Sequence, residues 1–190
     1  RGLKQFKDPR LDRAAIGVSV AAFVLDLAGV SGIALAVVAA MAALLQAARL
    51  AGWGPQGTLR KPILWILHAS YAWAVVGFVL MAAAALGAVP RTLSVHAFAV
   101  GLIGGLIIGM ITRTALGHTG RMLVAGRAEV IMYALVQIAA LLRVFGPLAA
   151  PELTLRFVEI AALPWSAAFL LYAVVYWPIL SRSRIDGRDG

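Results

Sequence analysis

The chain has 190 residues, of which 62% are hydrophobic and 13% charged, and its mean hydropathy is +0.92. A soluble domain of this size carries about 45–50% apolar residues and about twice the charge, so the composition points to an integral membrane protein. The formal charge of +9 lies at the edges of apolar runs and does not suggest nucleic acid, while the lack of cysteine excludes disulfides, thiolate metal sites and iron–sulfur clusters.

The chain opens on residues 1–13, "RGLKQFKDPRLDR", a basic leader expected on the cytoplasmic side. It has no start methionine and no signal-peptide cleavage site, so it reads as a piece of a longer protein. Residues 14–180 are then read as a six-span bundle, because a helix needs about 20 mostly apolar residues to cross a bilayer. The first span is placed at 14–30, and a tight "GVSG" leads into the second at 33–50. The third, 63–86, follows the polar loop "AGWGPQGTLRKP", and the fourth, 95–118, follows "GAVPRTLS". The fifth is placed at 128–145 and the sixth at 154–180, with a basic polar tail at 181–190. Short connections make neighbours antiparallel, so the expected fold class is all-α, an up-down polytopic membrane helix bundle.

Charge placement orients it. Arg1, Lys4, Lys7, Arg10, Arg13, Arg49, Arg60, Lys61, Arg113, Arg121, Arg127, Arg182, Arg184 and Arg188 fall on one side, against Arg91, Arg143 and Arg156 on the other. The positive-inside rule then puts both termini in the cytoplasm. Trp65, Trp73, Trp165 and Trp177 are read as interface anchors.

Ionisable groups inside a bilayer cost several kcal/mol unless paired or turned inward, so each is a functional candidate. They fall in two layers. Asp26, His96, Arg143, Arg156 and Glu159 lie toward the outer surface, and His68, Arg113, His118, Arg121 and Glu129 toward the cytoplasmic one. Asp26 is expected to cap a helix or be solvated, Arg143 to snorkel outward, and Arg156 to pair with Glu159 on one helix face. Few charges lie at mid-depth, where transporters keep their substrate path.

Histidine is the strong metal ligand available. His96 and His118 stand 22 residues apart on one span, about 33 Å if it is helical, so they cannot share a metal. His68 and His118 lie toward the same edge of adjacent helices and can face one cofactor, leaving His96 to an outer site or none. Haem suits such a pocket, since axial histidines, apolar packing and an arginine near the propionates are what it requires. Gly101, Gly105 and Gly109 form a flat strip that a macrocycle or another helix can approach. Copper through histidine and Met81, Met110 or Met122 is also open, although scattered methionines are usually filler.

The fourth span ends in "TRTALGHTGR". Gly117 and Gly120 permit the positive φ angles that stop a helix, and His118 meets the negative end of its dipole. Together, "MITRTALGHTGRML", the preceding "VHAFAVGLIGGLI" and "HASYAW" one helix earlier resemble the NnrS family of bacterial membrane proteins. Family members are larger, with about twice as many spans, so by this resemblance the chain looks like a C-terminal half. The resemblance implies haem, of b-type, and copper, and a role in tolerance of nitric oxide and nitrosative stress in denitrifying or pathogenic bacteria. His68, His96 and His118 match the family's recurring positions as metal candidates, and Arg113 and Arg121 match them as partners of propionates or an anion. Expected partners are the lipid bilayer, a small ligand such as nitric oxide, and a missing N-terminal half or a second copy. Two other readings stay open at this point: a transporter of a small solute, metal or haem, and a non-catalytic half-bundle.

Overall fold

The structure is a computed structural model that describes residues 8–187. The fold is all-helical, with no strand among the described residues. Six long helices follow one another: α1 (Pro9–Leu27), α2 (Ile33–Gly52), α3 (Pro62–Ala85), α4 (Arg91–His118), α5 (Arg127–Ala149) and α6 (Thr154–Leu180). Five of them, α2 to α6 (the last taken from Pro151), are long and apolar enough to cross a membrane, and the chain is a membrane protein.

α1 begins earlier than the hydropathy suggests. Asp8 caps it by accepting from the Arg10 amide at 2.8 Å, and Pro9 supplies a helical φ at the first position. Arg10, Asp12 and Arg13 therefore enter its first turns, and residues 1–7 of the expected leader lie outside the described residues. The turn into α2 places Gly29 (φ 75°) and Gly32 (φ 74°) in left-handed conformations, and the Gly32 amide donates to the Ala85 carbonyl at the end of α3.

α4 starts at Arg91 rather than near Val95, and over Ala97–Gly104 it widens into π-helical turns. No sequence pattern announced that segment. Its C-terminus closes through Gly120 (φ 74°), where the Arg121 amide donates to the Leu116 carbonyl at 2.8 Å. Gly117 stays helical, so one glycine of the expected pair ends the helix. At the other junction, Glu129 folds back to accept from the Gly126 amide at 2.7 Å and so satisfies a free donor at the start of α5.

α3 and α4 form the centre. α1 and α2 pack on one side, around Ala22, Leu35, Ala39, Phe78 and Phe98, with Phe23, Phe78 and Phe98 meeting at centroid distances of 4.9–5.3 Å. α5 and α6 pack on the other, around Ile66, Ile108, Met132, Tyr133, Val136 and Tyr176. The glycine strip serves this packing. Trp73 and Ser70 of α3 lie where side chains on Gly101 and Gly105 would be, Ile66 and Leu67 close over Gly109, and Trp165 of α6 lies on Gly104. The strip is thus covered by helices, leaving no flat face for a macrocycle. Trp73 and Trp165 are packing residues rather than interface anchors; Trp65 stands edge-on to Tyr133, and Trp177 is exposed.

Candidate functional site: two histidine cavities

The helix register fixes which candidates can meet. Ile66 and Leu67 face Gly109, Ser70 faces Gly105 and Trp73 faces Gly101, so α3 and α4 run antiparallel with His68 roughly level with Ile107. His118 is then about eleven residues further along α4, about 16 Å along the axis. It is exposed, and its carbonyl accepts from Arg184 at 3.0 Å. The structure does not bring His68 and His118 to one cofactor.

It does bring His68 together with Arg113. Both line a cavity of about 440 Å³ whose other walls are Trp53, Leu64, Leu67, Tyr71, Leu106 and Met110. The His68 ring makes an aromatic contact with Trp53 at 6.3 Å between centroids and no hydrogen bond among the described residues. Both of its nitrogens are therefore uncommitted on a mainly apolar cavity wall. Met110, three residues along α4 from the level of His68, contributes a thioether.

The aromatic wall is held by polar contacts that the sequence did not disclose. Arg49 donates to Asp12 (2.7 Å), to the Tyr71 hydroxyl (2.6 Å) and to Gln46 (3.3 Å), and its guanidinium stacks over Trp53 at 5.1 Å. Gln46 in turn donates to Ser19 at 2.8 Å and accepts from Tyr71. Tyr71 lies three residues after His68 in "HASYAW", and that one-turn spacing was the available signal. Beyond Arg113, buried Thr112 and Tyr133 share a hydrogen bond of 2.6 Å, and Tyr176 donates to the buried Glu129 carboxylate at 2.8 Å.

His96 lies on a different cavity, about 410 Å³, bounded by Thr92, Leu93, Arg143, Pro147, Leu155 and Val158 and by the loop residues Ala88–Pro90 and Pro151. Arg143 Nη2 lies 2.6 Å from His96 Nε2. A guanidinium only donates, so Nε2 accepts, and the ring is neutral with its proton on Nδ1. Arg143 engages a histidine here instead of snorkelling. Asp26, expected to be a cap or solvated, makes a two-pronged ion pair with Arg91 at 2.6 and 2.9 Å. Arg156 and Glu159 are both exposed and do not pair.

The remaining candidates stay apart from both cavities. Arg121 follows the end of α4, and its Nη1 is buried without a hydrogen-bond partner. The chain after α6 folds back over this end: the Ile185 amide donates to the Thr119 carbonyl at 3.3 Å, and Arg184 grips Asp186 with two hydrogen bonds. Those bonds hold the Arg184 guanidinium above its ordinary pKa. Met81 is core and Met122 is exposed. Among the described residues no three His, Asp or Glu side chains gather into a metal-binding group.

A family model described as NnrS protein matches residues 2–184, nearly the whole chain. No curated protein and no solved structure matches it significantly.

Proposed function

From the premise that this chain belongs to the NnrS family, we propose that it is a haem-binding protein of the bacterial inner membrane that acts in the response to nitric oxide and nitrosative stress. The observation that carries the reading is the uncommitted His68 imidazole on an aromatic and aliphatic cavity that also contains a guanidinium.

The donor set fits haem. An axial imidazole, apolar walls for the ring and a cation for its carboxylates are the parts such a pocket requires, and the cavity volume lies in the range of small-molecule sites, about 300–1,000 Å³. His68 would bind the iron and Arg113 would face a propionate. Trp53 and Tyr71, braced by Arg49 and Gln46, would hold the ring plane and keep water out. Haem would supply redox and ligand-binding chemistry at iron, and the apolar walls would suit a small uncharged ligand.

Copper rests on a smaller set. A thioether and an imidazole suit Cu(I), and His68 and Met110 are the pair that shares a cavity. His96 fits a metal less well, because a cation at Nε2 would displace the arginine and then sit beside its charge. The His118 side chain, exposed at the end of α4, is open to another segment or a second copy, whereas Arg121 is partly covered there. The positive-inside rule places both ends of the chain in the cytoplasm.

The test is an optical spectrum of the purified protein, oxidised and dithionite-reduced, after expression with adequate haem. A Soret band with sharp reduced bands is expected, lost in His68→Ala and kept in His96→Ala and His118→Ala. A spectrum indifferent to His68→Ala overturns the assignment.

A further inference from the structure

We propose that the cavity at His96 and Arg143 is a binding site for a small, singly charged, weakly hydrated anion. Arg143 is a part-buried cation with no carboxylate partner among the described residues. Asp26 is held by Arg91, while Glu152 and Glu159 are exposed and form no ion pair. Its one side-chain partner is His96, a neutral acceptor that directs the guanidinium without cancelling its charge. A part-buried charge with no counter-ion is costly within a bilayer, and an anion beside it offsets that cost.

The space for the anion is present. Arg143 lines the 410 Å³ cavity on one side and a second cavity of about 190 Å³, walled by Val100, Val158, Ala161, Ala162 and Trp165, on the other. A guanidinium has five N–H donors, and in this structure its side-chain bonding is limited to the contact with His96. The hydroxyl of Thr92 is a further donor on the wall, and the rest is largely hydrocarbon. One positive charge in an apolar cavity favours a monoanion that sheds water readily over phosphate or sulfate. The walls include the loop residues Ala88–Pro90 and Pro151, so the site is reached from the Arg91 end of the bundle. The same chemistry is offered by a free ion and by the phosphodiester of a lipid headgroup.

The whole chain, stripped of lipid in neutral detergent, would be titrated calorimetrically with sodium nitrate against sodium gluconate at equal ionic strength. Saturable nitrate binding is expected. It should weaken at least about tenfold in Arg143→Gln, as loss of a charge-assisted contact implies, and survive in Arg143→Lys. Val158→Phe, which leaves the charge but fills the space shared by both cavities, should also abolish it, and it carries the test if Arg143→Gln fails to fold. In a parallel arm, the protein in phosphatidylcholine nanodiscs is compared with phosphatidylglycerol nanodiscs. Thermal stabilisation by phosphatidylglycerol that requires Arg143, without nitrate binding in detergent, supports the site with a lipid phosphodiester as its anion. Nitrate binding unchanged in Arg143→Gln and Val158→Phe, or no Arg143-dependent response in either arm, overturns the proposal.

Discussion

The two histidine cavities have nearly the same volume, about 440 Å³ at His68 and 410 Å³ at His96, and each contains one arginine. They differ in how the two residues stand to each other. At His96 the guanidinium donates directly to the ring, which uses up the lone pair a metal would need. At His68 the ring is unbonded, and Arg113 lies elsewhere on the wall, beyond Met110. The residue types are shared, and the hydrogen bonding is the reason for proposing a metal ligand at one site and an anion at the other. Identity of residues therefore says less about a membrane site than which atoms are already hydrogen-bonded.

The sharpest way to break this contrast is at the free ring. His68→Ala should take bound haem from stoichiometric to undetectable, and His68→Met should restore a haem spectrum with altered potential, since axial ligand identity sets it. If His96→Ala produces the larger loss, the two cavities have been assigned the wrong way round. Next in size is the second cation. Arg113→Gln removes a charge-assisted contact of about 1.5–3 kcal/mol, so haem affinity should fall by roughly tenfold or more while the band positions stay fixed; haem transfer to apomyoglobin measures this. Gly101→Val presses a branched side chain into Trp73 and should cost about 1–3 kcal/mol by overpacking. Because it strikes the α3–α4 contact that supports both cavities, its drop in thermal midpoint should be the same in haem-loaded and nitrate-loaded protein. The smallest effect belongs to Asp26→Asn. Its partner Arg91 is largely exposed, so the loss should be about 0.2–1 kcal/mol, with neither ligand affected.

How far the sequence led depends on what each residue needed. Apolar runs of about 20 residues located the helices well, because length and hydropathy depend little on neighbours. Charge density hid the start of α1, where Asp8 and Pro9 set the boundary and carried Arg10 and Asp12 into a helix that hydropathy would begin later. Histidine depths were readable from residue counts along single helices. The register between helices was not, and it separates His118 from His68 because glycine contacts with Trp73, Ser70 and Leu67 decide how α3 and α4 slide. Likewise the partners of Arg143, Asp26 and Arg49 lie 47, 65 and 37 residues away in sequence, too far for any local pattern. The π-helical turns of Ala97–Gly104 leave no mark on composition.

The ion pairs of α1 have a consequence for biosynthesis. Of the six helices, α1 fails the criterion for crossing a membrane unaided, since Arg10, Asp12, Arg13 and Asp26 lie within its length. Two of those charges are matched by later elements: Asp12 by Arg49 on α2, and Asp26 by Arg91 at the start of α4. A ribosome reading from the amino end makes α1 before either arginine exists, and Arg91 is not translated until three helices are complete. The electrostatic environment of α1 is thus finished only after α2 and α3 have been made and α4 has begun.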